Sequence, residues 1–133
     1  MDSSNKPLIL IVEDDVAVSM VVEDIVAEAG FRFLAVVNGE EAITAMEDRP
    51  DRFTALVTDI RMPGKSNGWD VARRARELQP ALPIIYMTGD SAAQWAAYGV
   101  PGSVLLHKPF VAAQLVTALT NLLNEADTAG IGK

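Results

Sequence analysis

Five short apolar runs rich in β-branched residues punctuate the chain: Leu8–Val12, Phe31–Val37, Phe53–Thr58, Pro83–Met87 and Ser103–Leu106. Each is continuous rather than alternating, the pattern of parallel strands buried on both faces. Between them apolar residues recur at helical spacing. Val16–Ala29 is rich in Val, Ala and Glu and stops at Gly30, a residue suited to a helix C-terminus. Asn38, with Glu41 three residues on, predicts a capping box for a helix that ends before Pro50. Trp69–Leu78 puts Val71, Ala75 and Leu78 on one side and most of its charges elsewhere. Ser91–Tyr98 predicts a short Ala-rich helix capped by Asp90 or Ser91, and Val111–Asn124 carries the stripe Leu115, Leu119, Leu122. Five consecutive βα units predict an open parallel α/β sheet with helices on both faces, a three-layer sandwich formed by residues 7–124. Residues 1–6 are expected to be disordered and residues 125–133 to form a flexible tail.

Length and composition fit this picture. The chain has 133 residues, the size of one domain, with 50% hydrophobic and 22% charged residues, an ordinary globular balance. The formal net charge of −7 repels nucleic-acid phosphates and argues against a nucleic-acid partner. No apolar run approaches the ~20 residues of a membrane helix, and Met1–Lys6 lacks the apolar stretch of a signal peptide. The absence of cysteine removes disulfides and thiolate metal sites. The expectation is a cytoplasmic domain with no membrane partner.

The polar residues of interest fall at the ends of four of the runs. Glu13, Asp14 and Asp15 follow the first, Asp59 the third, Thr88 the fourth, and Lys108 with Pro109 the fifth. Open parallel sheets bind ligands outside the carboxyl ends of their strands, so these positions converge. Singly, each has an ordinary reading. Acidic residues suit a solvated helix N-terminus, threonine a turn or cap, and Lys-Pro a turn. It is their coincidence at strand ends that makes a site. Clustered carboxylates stay ionised only beside a cation. Oxygen donors select Mg²⁺, with Mn²⁺ as a substitute, over softer metals. A carboxylate is also a nucleophile that forms an aspartyl-phosphate. Phosphoryl transfer needs charge on the equatorial oxygens neutralised. The metal, the Lys108 ammonium and the Thr88 hydroxyl with nearby backbone N–H groups supply that.

These stretches together resemble the receiver domains of two-component response regulators: Leu8-Ile-Leu-Ile-Val-Glu-Asp-Asp15, Leu56-Val-Thr-Asp-Ile-Arg-Met-Pro-Gly64, Asn67-Gly68, Pro83-Ile-Ile-Tyr-Met-Thr-Gly89 and Leu106-His-Lys-Pro-Phe110. The resemblance covers about residues 7 to 124. It implies a flavodoxin-like sheet of order 2-1-3-4-5. By the same resemblance Asp59 is the phospho-acceptor, Asp14 a direct Mg²⁺ ligand and Glu13 a ligand acting through water. Asp15 lies one position past that pair. The backbone carbonyl of Arg61 is a further metal ligand, Thr88 the switch hydroxyl, and Lys108 the conserved-type lysine before a cis Pro109 bond. The implied partner is a sensor histidine kinase or a histidine phosphotransfer protein. The domain is then a monomer or a weak phosphorylation-dependent dimer, and no enzyme beyond promoting its own phosphorylation and slow dephosphorylation.

Some positions depart from the family pattern. Leu105 stands where many receivers carry the aromatic switch residue, and Trp95 or Tyr98 is either a substitute reporter on the output face or an ordinary core or surface aromatic. The loop Gly64–Gly68 is one residue longer than the common form, with Lys65 a solvated charge. His107, the only histidine, is a strand-end residue. Arg61 and Asp90 carry opposite charges at positions that flank the phosphoryl group, and a pairing between them is expected to modulate its lifetime. Two alternatives stay open: a phosphate-independent receiver-fold binding module, and a receiver fragment of a hybrid histidine kinase. An aspartyl phosphatase is disfavoured because Arg61 occupies the place of its general acid.

Overall fold

All five apolar runs are strands, and all pair in parallel. The computed structural model describes residues 6–131. The elements are β1 (Leu8–Val12), α1 (Val16–Glu28), β2 (Arg32–Val36), α2 (Gly39–Asp48), β3 (Ala55–Asp59), α3 (Gly68–Leu78), β4 (Ile84–Thr88), α4 (Trp95–Tyr98), β5 (Val104–His107) and α5 (Ala112–Ile131). The sheet order is β2-β1-β3-β4-β5, the flavodoxin-like order that the resemblance implies. Strands β3, β4 and β5 each end one residue later than their apolar runs, so that Asp59, Thr88 and His107 are the last residues of their strands. The polar residue that closes each strand still belongs to its hydrogen-bonded ladder, which apolarity alone does not reveal.

Strand alternation divides the core in two. Leu10, Val12, Leu56, Ile84 and Tyr86 face α2 and α3, where they meet Ala42, Met46, Trp69, Val71 and Ala75. Ile9, Ile11, Val57, Ile85 and Met87 face α1 and α5 and meet Val22, Val26, Leu115 and Leu119. The three central strands are therefore covered on both faces, which is why they read as unbroken apolar runs. Strand β2 lies at an edge and keeps intermediate exposure.

Local chemistry fixes where the helices begin. Asp15 caps α1, its side chain accepting from the N–H groups of Ala17 and Val18. Asn38 caps α2 through Glu41 N–H, while the Glu41 carboxylate turns back to the N–H of Val37 rather than that of Asn38. Asn67 and Asp70 form a reciprocal capping box at the start of α3.

Two expectations require correction. The segment expected as one helix over Ser91–Tyr98 is a 3₁₀ turn, Ala92–Gln94, followed by a single α-turn. Neither Asp90 nor Ser91 caps it, because the Asp90 carboxylate is committed to Arg61 and to the Ser91 hydroxyl. The last helix, expected to end at Asn124, continues through Ile131. It contains no proline, and Glu125, Ala126 and Ala129 are good helix formers. Of the N-terminal segment expected to be disordered, residues 1–5 lie outside the described residues, and the Lys6 carbonyl accepts a bond from Arg32 Nε.

Candidate functional site

The carboxyl ends of β1, β3, β4 and β5 bring the predicted residues to one edge of the sheet. Glu13 leaves β1 with its N–H bonded to the Val36 carbonyl, which continues the ladder to β2 and turns the side chain inward. Its carboxylate is 1% exposed. One oxygen, Oε1, accepts from Lys108 Nζ at 2.6 Å, and the other accepts from the Asp15 N–H at 3.1 Å. Asp14, next along, is exposed. Asp59 closes β3 and is buried. Its Oδ1 is held by the Ile60 N–H at 2.8 Å, and Oδ2 lies 3.3 Å from Lys108 Nζ. One Asp59 oxygen is thus fixed by backbone and the other faces the cluster.

Glu13, Asp14 and Asp59 each offer a carboxylate oxygen within 4.8 Å of the others. Such a set of oxygen donors, part buried and part open, fits a hard divalent cation. Asp15, which sequence alone left beside this group, is occupied in capping α1. Lys108 enters through β5: its N–H bonds the Thr88 carbonyl and the Lys108–Pro109 peptide is cis, as the resemblance implies. Its ammonium spans Glu13 and Asp59, a position between the two carboxylates that the spacing of residues did not disclose.

Thr88 closes β4 and is buried. Its Oγ1 accepts from the N–H groups of Ser91, at 2.8 Å, and Asp90, at 3.2 Å. Arg61 does pair with Asp90, at 2.6 Å, across the β3–α3 and β4–α4 loops. The Ser91 hydroxyl and the Arg61 guanidinium both hold the Asp90 carboxyl below the usual carboxylate range. Leu105 is half-buried against the α2/α3 side of the core, and His107 is exposed. Trp95 and Tyr98 are both partly exposed on α4.

Glu40, which sequence reasoning passed over, and Gly68, the second residue of the matched Asn67-Gly68 pair, shape the β3–α3 loop. Glu40 Oε1 accepts the Ser66 N–H at 2.9 Å and straps the loop to α2. Gly68 packs against the backbone of Asp59 and Ile60, so closely that a β-carbon there would lie 2.7 Å from Ile60 Cα. The Asn-Gly pair at the start of α3 was the available signal.

Charge in the cluster is unbalanced. Burial pushes the Glu13 carboxyl up to about 7; the Lys108 and Asp15 hydrogen bonds pull the other way, and the Asp59 charge adds to the rise. Burial acts to lower Lys108, but its bond to Glu13 and the fields of Asp59 and Glu13 outweigh it and raise its value. A folded-state value above 4.5 means that the folded chain binds this proton more tightly than the unfolded one. The Glu13 contribution therefore favours folding below about pH 4.5 and is lost as pH rises toward 7. With metal chelated, the wild type is expected to lose on the order of 1–3 kcal/mol across this window relative to Glu13→Gln. Melting curves of both proteins from pH 5 to 8 check this, and parallel curves would contradict it.

The comparisons with known proteins agree with the geometry. The family model described as the response regulator receiver domain matches residues 9–120. The response regulator receiver protein CpdR of Brucella abortus is 32% identical over 117 residues, which cover 86% of this chain and 95% of that protein. The DNA-binding transcriptional regulator NtrC of Salmonella typhimurium is 34% identical over 106 residues, 77% of this chain but 22% of the regulator. The chain thus spans about a fifth of that relative's length. A crystal structure of a response regulator receiver protein from Sinorhizobium medicae superposes with a TM-score of 0.89 at 40% identity, covering 92% of this chain and 98% of that one. The receiver domain of the sensor histidine kinase PA1611 from Pseudomonas aeruginosa, which has a magnesium ion coordinated in its active-site cleft, superposes with a TM-score of 0.77 at 26% identity, over 90% of this chain and 98% of that one. Among the described residues no helix is long and apolar enough to cross a membrane. The chain belongs to the response regulator receiver domain family.

Proposed function

We propose that this chain is a phosphorylation switch: Asp59 takes a phosphoryl group from a phosphohistidine of a sensor kinase or phosphotransfer protein in a Mg²⁺-dependent reaction, in the cytoplasm. The observation that carries the reading is the Lys108 ammonium held between Glu13 and Asp59, beside a third carboxylate. That arrangement sets a cation beside the acceptor oxygen, and the three carboxylates would attract a second.

In the transfer an Asp59 carboxylate oxygen attacks phosphorus, the P–N bond breaks, and the imidazole nitrogen keeps the electron pair. The product is an acyl phosphate. Asp59 Oδ1 stays anchored by the Ile60 N–H, which orients Oδ2 as the nucleophile. Lys108 balances the added charge on the phosphoryl oxygens, and Thr88 supplies a hydroxyl at the neighbouring strand end. Glu13, Asp14 and Asp59, with the Arg61 carbonyl, would hold the Mg²⁺, and the metal would supply positive charge against the phosphoryl oxygens. The PA1611 receiver domain, with its magnesium ion, supports this choice of metal.

The chemistry is tested with phosphoramidate, a small donor with the same P–N bond. The expected product carries one phosphoryl group that neutral hydroxylamine removes and that maps to Asp59. Phosphate stable to hydroxylamine, or mapped to a serine or threonine, would overturn the reading.

The Arg61–Asp90 pair has its own consequence. Both side chains are exposed, so the pair adds little to stability. It does stand across one side of the acceptor cleft and limits the approach of water to a phosphoryl group on Asp59. Arg61→Ala is expected to speed dephosphorylation roughly 3- to 10-fold while moving the melting temperature little, in keeping with an exposed pair. An unchanged decay rate of the purified phosphoprotein would refute the role.

A further inference from the structure

The segment from Asp90 to Val100 is held at its two ends and loose between them. At the first end, the Thr88 hydroxyl accepts the N–H groups of Asp90 and Ser91, and Asp90 is tied to Arg61. At the other, the Val100 N–H bonds the Tyr86 hydroxyl, and Trp95 Nε1 bonds Ser103 Oγ at 3.0 Å. Between these ends lie a 3₁₀ turn and one α-turn with no side-chain cap and no buried residue. So short a helix has no stability of its own.

Beneath this segment is space. A cavity of about 470 Å³ separates it from α3, lined by Ile60, Arg61, Trp69, Ser91 and Tyr98. Two of its lining residues, Trp69 and Tyr98, belong to an aromatic ladder that starts in the core. Tyr86, buried in β4, lies 4.8 Å from the Trp69 ring, and Trp69 lies 6.1 Å from Tyr98, which is 54% exposed. Leu105 pairs with Tyr86 in the sheet register but brings neither a ring nor a hydroxyl to the cavity.

We propose that this chain replaces an aromatic switch at position 105 with closure of the α4 segment into the cavity between α3 and α4, read out by Tyr98 tightening its existing contact with Trp69. The inference rests on phosphorylation of Asp59. A phosphoryl group there attracts the Thr88 hydroxyl. Because that hydroxyl is the acceptor for two N–H groups of the segment, its displacement carries Asp90 and Ser91 with it or releases them. In either case the first anchor of the segment changes while the Val100 anchor stays. The cavity gives the single turn somewhere to go, and Tyr98, the exposed ring nearest Trp69, closes it. Leu105 takes no part.

The chain has two tryptophans, and the emission of the intact protein less that of Trp69→Phe isolates Trp69 while keeping the Trp95–Ser103 bond. Acetyl phosphate with Mg²⁺ is expected to shift this Trp69 emission in step with the phosphoryl group counted by intact mass. Adding Tyr98→Leu abolishes the shift at equal phosphorylation, and adding Leu105→Ala leaves it intact. A shift that survives Tyr98→Leu, or one lost in Leu105→Ala at equal phosphorylation, overturns the proposal. Absence of phosphorylation by mass is instead a failure of the switch reading itself. A second arm needs no phosphate. Thr88→Val removes the acceptor of the first anchor and is expected to speed hydrogen exchange about tenfold, the effect of losing one ~1.4 kcal/mol bond, at Ala96–Tyr98 as well as at Asp90 and Ser91. Faster exchange confined to Asp90 and Ser91 would show that the anchor does not govern the segment.

Discussion

Lys108→Ala is expected to lower the rate of phosphoryl uptake by roughly 10²–10³-fold, the scale seen when a preorganised positive group is removed from a transition state. Lys108 Nζ lies 2.6 Å from Glu13 Oε1 and 3.3 Å from Asp59 Oδ2, so its loss leaves two buried carboxylates facing each other without a cation. Removing one partner of a buried ion pair typically costs about 3–5 kcal/mol. In the metal-free protein part of this cost is relieved by protonation, because Glu13 already binds a proton readily, with its value near 7. The variant should consequently be less stable in chelator, recover stability when Mg²⁺ is added, and bind Mg²⁺ at least as tightly as the wild type. Loss of phosphoryl uptake with retained metal affinity assigns Lys108 to the transferring group. Loss of both would make it a structural support for the acidic cluster. Calorimetric Mg²⁺ titration beside a phosphorylation time course separates these outcomes.

The second large effect concerns the donor. Val16, Met20 and Val21 on α1 and Val111 before α5 are exposed large apolar residues. Val21 also lines a groove of about 330 Å³ with Val18, Lys108, Pro109 and Phe110. Lys108 ties that groove to the acceptor, so an apolar surface adjoins the reacting carboxylate. Scattered apolar residues need no explanation, but exposed apolar side chains on the helix that shares a groove with the site lysine suit a docking surface for a donor protein. Exchanging Met20, Val21 and Val111 together for serine should slow transfer from a protein phosphohistidine by about 10- to 100-fold, as loss of a few central interface contacts does. Uptake from acetyl phosphate should stay within about twofold, since a small donor needs no docking surface. Equal loss with both donors would mean that the substitutions disturb the acceptor itself.

Much of this was legible in the sequence because the constraints act locally. The runs Leu8–Val12 and Pro83–Met87 read as strands since both their faces are covered, and burial on both sides leaves no polar alternation. The site was legible for a related reason: Glu13, Asp59, Thr88 and Lys108 sit where strands end, and the parallel topology brings those ends together. What escaped were features set by distant groups. Lys108 bridges residues 95 positions away, and no spacing rule encodes that contact. Ser91–Tyr98 reads as one short capped helix because Ala-rich sequence favours helix, whereas Asp90 and Ser91 spend their side chains on Arg61 and on each other. The strap from Glu40 to the Ser66 N–H likewise joins α2 to the β3–α3 loop, which sequence shows only as separate. Helix beyond residue 124 was overlooked because small, polar residues suggest a frayed end, yet nothing before Ile131 forces the helix to stop.

If Asp59 accepts a phosphoryl group with the help of a divalent cation held by its neighbours, uptake requires both that carboxylate and the metal. The most direct measurement is the intact mass of the wild type and of Asp59→Asn after incubation with acetyl phosphate, each with Mg²⁺ and with chelator. A gain of one phosphoryl group is expected only for the wild type with Mg²⁺. The same gain in Asp59→Asn, or in the wild type with the metal chelated, would contradict it.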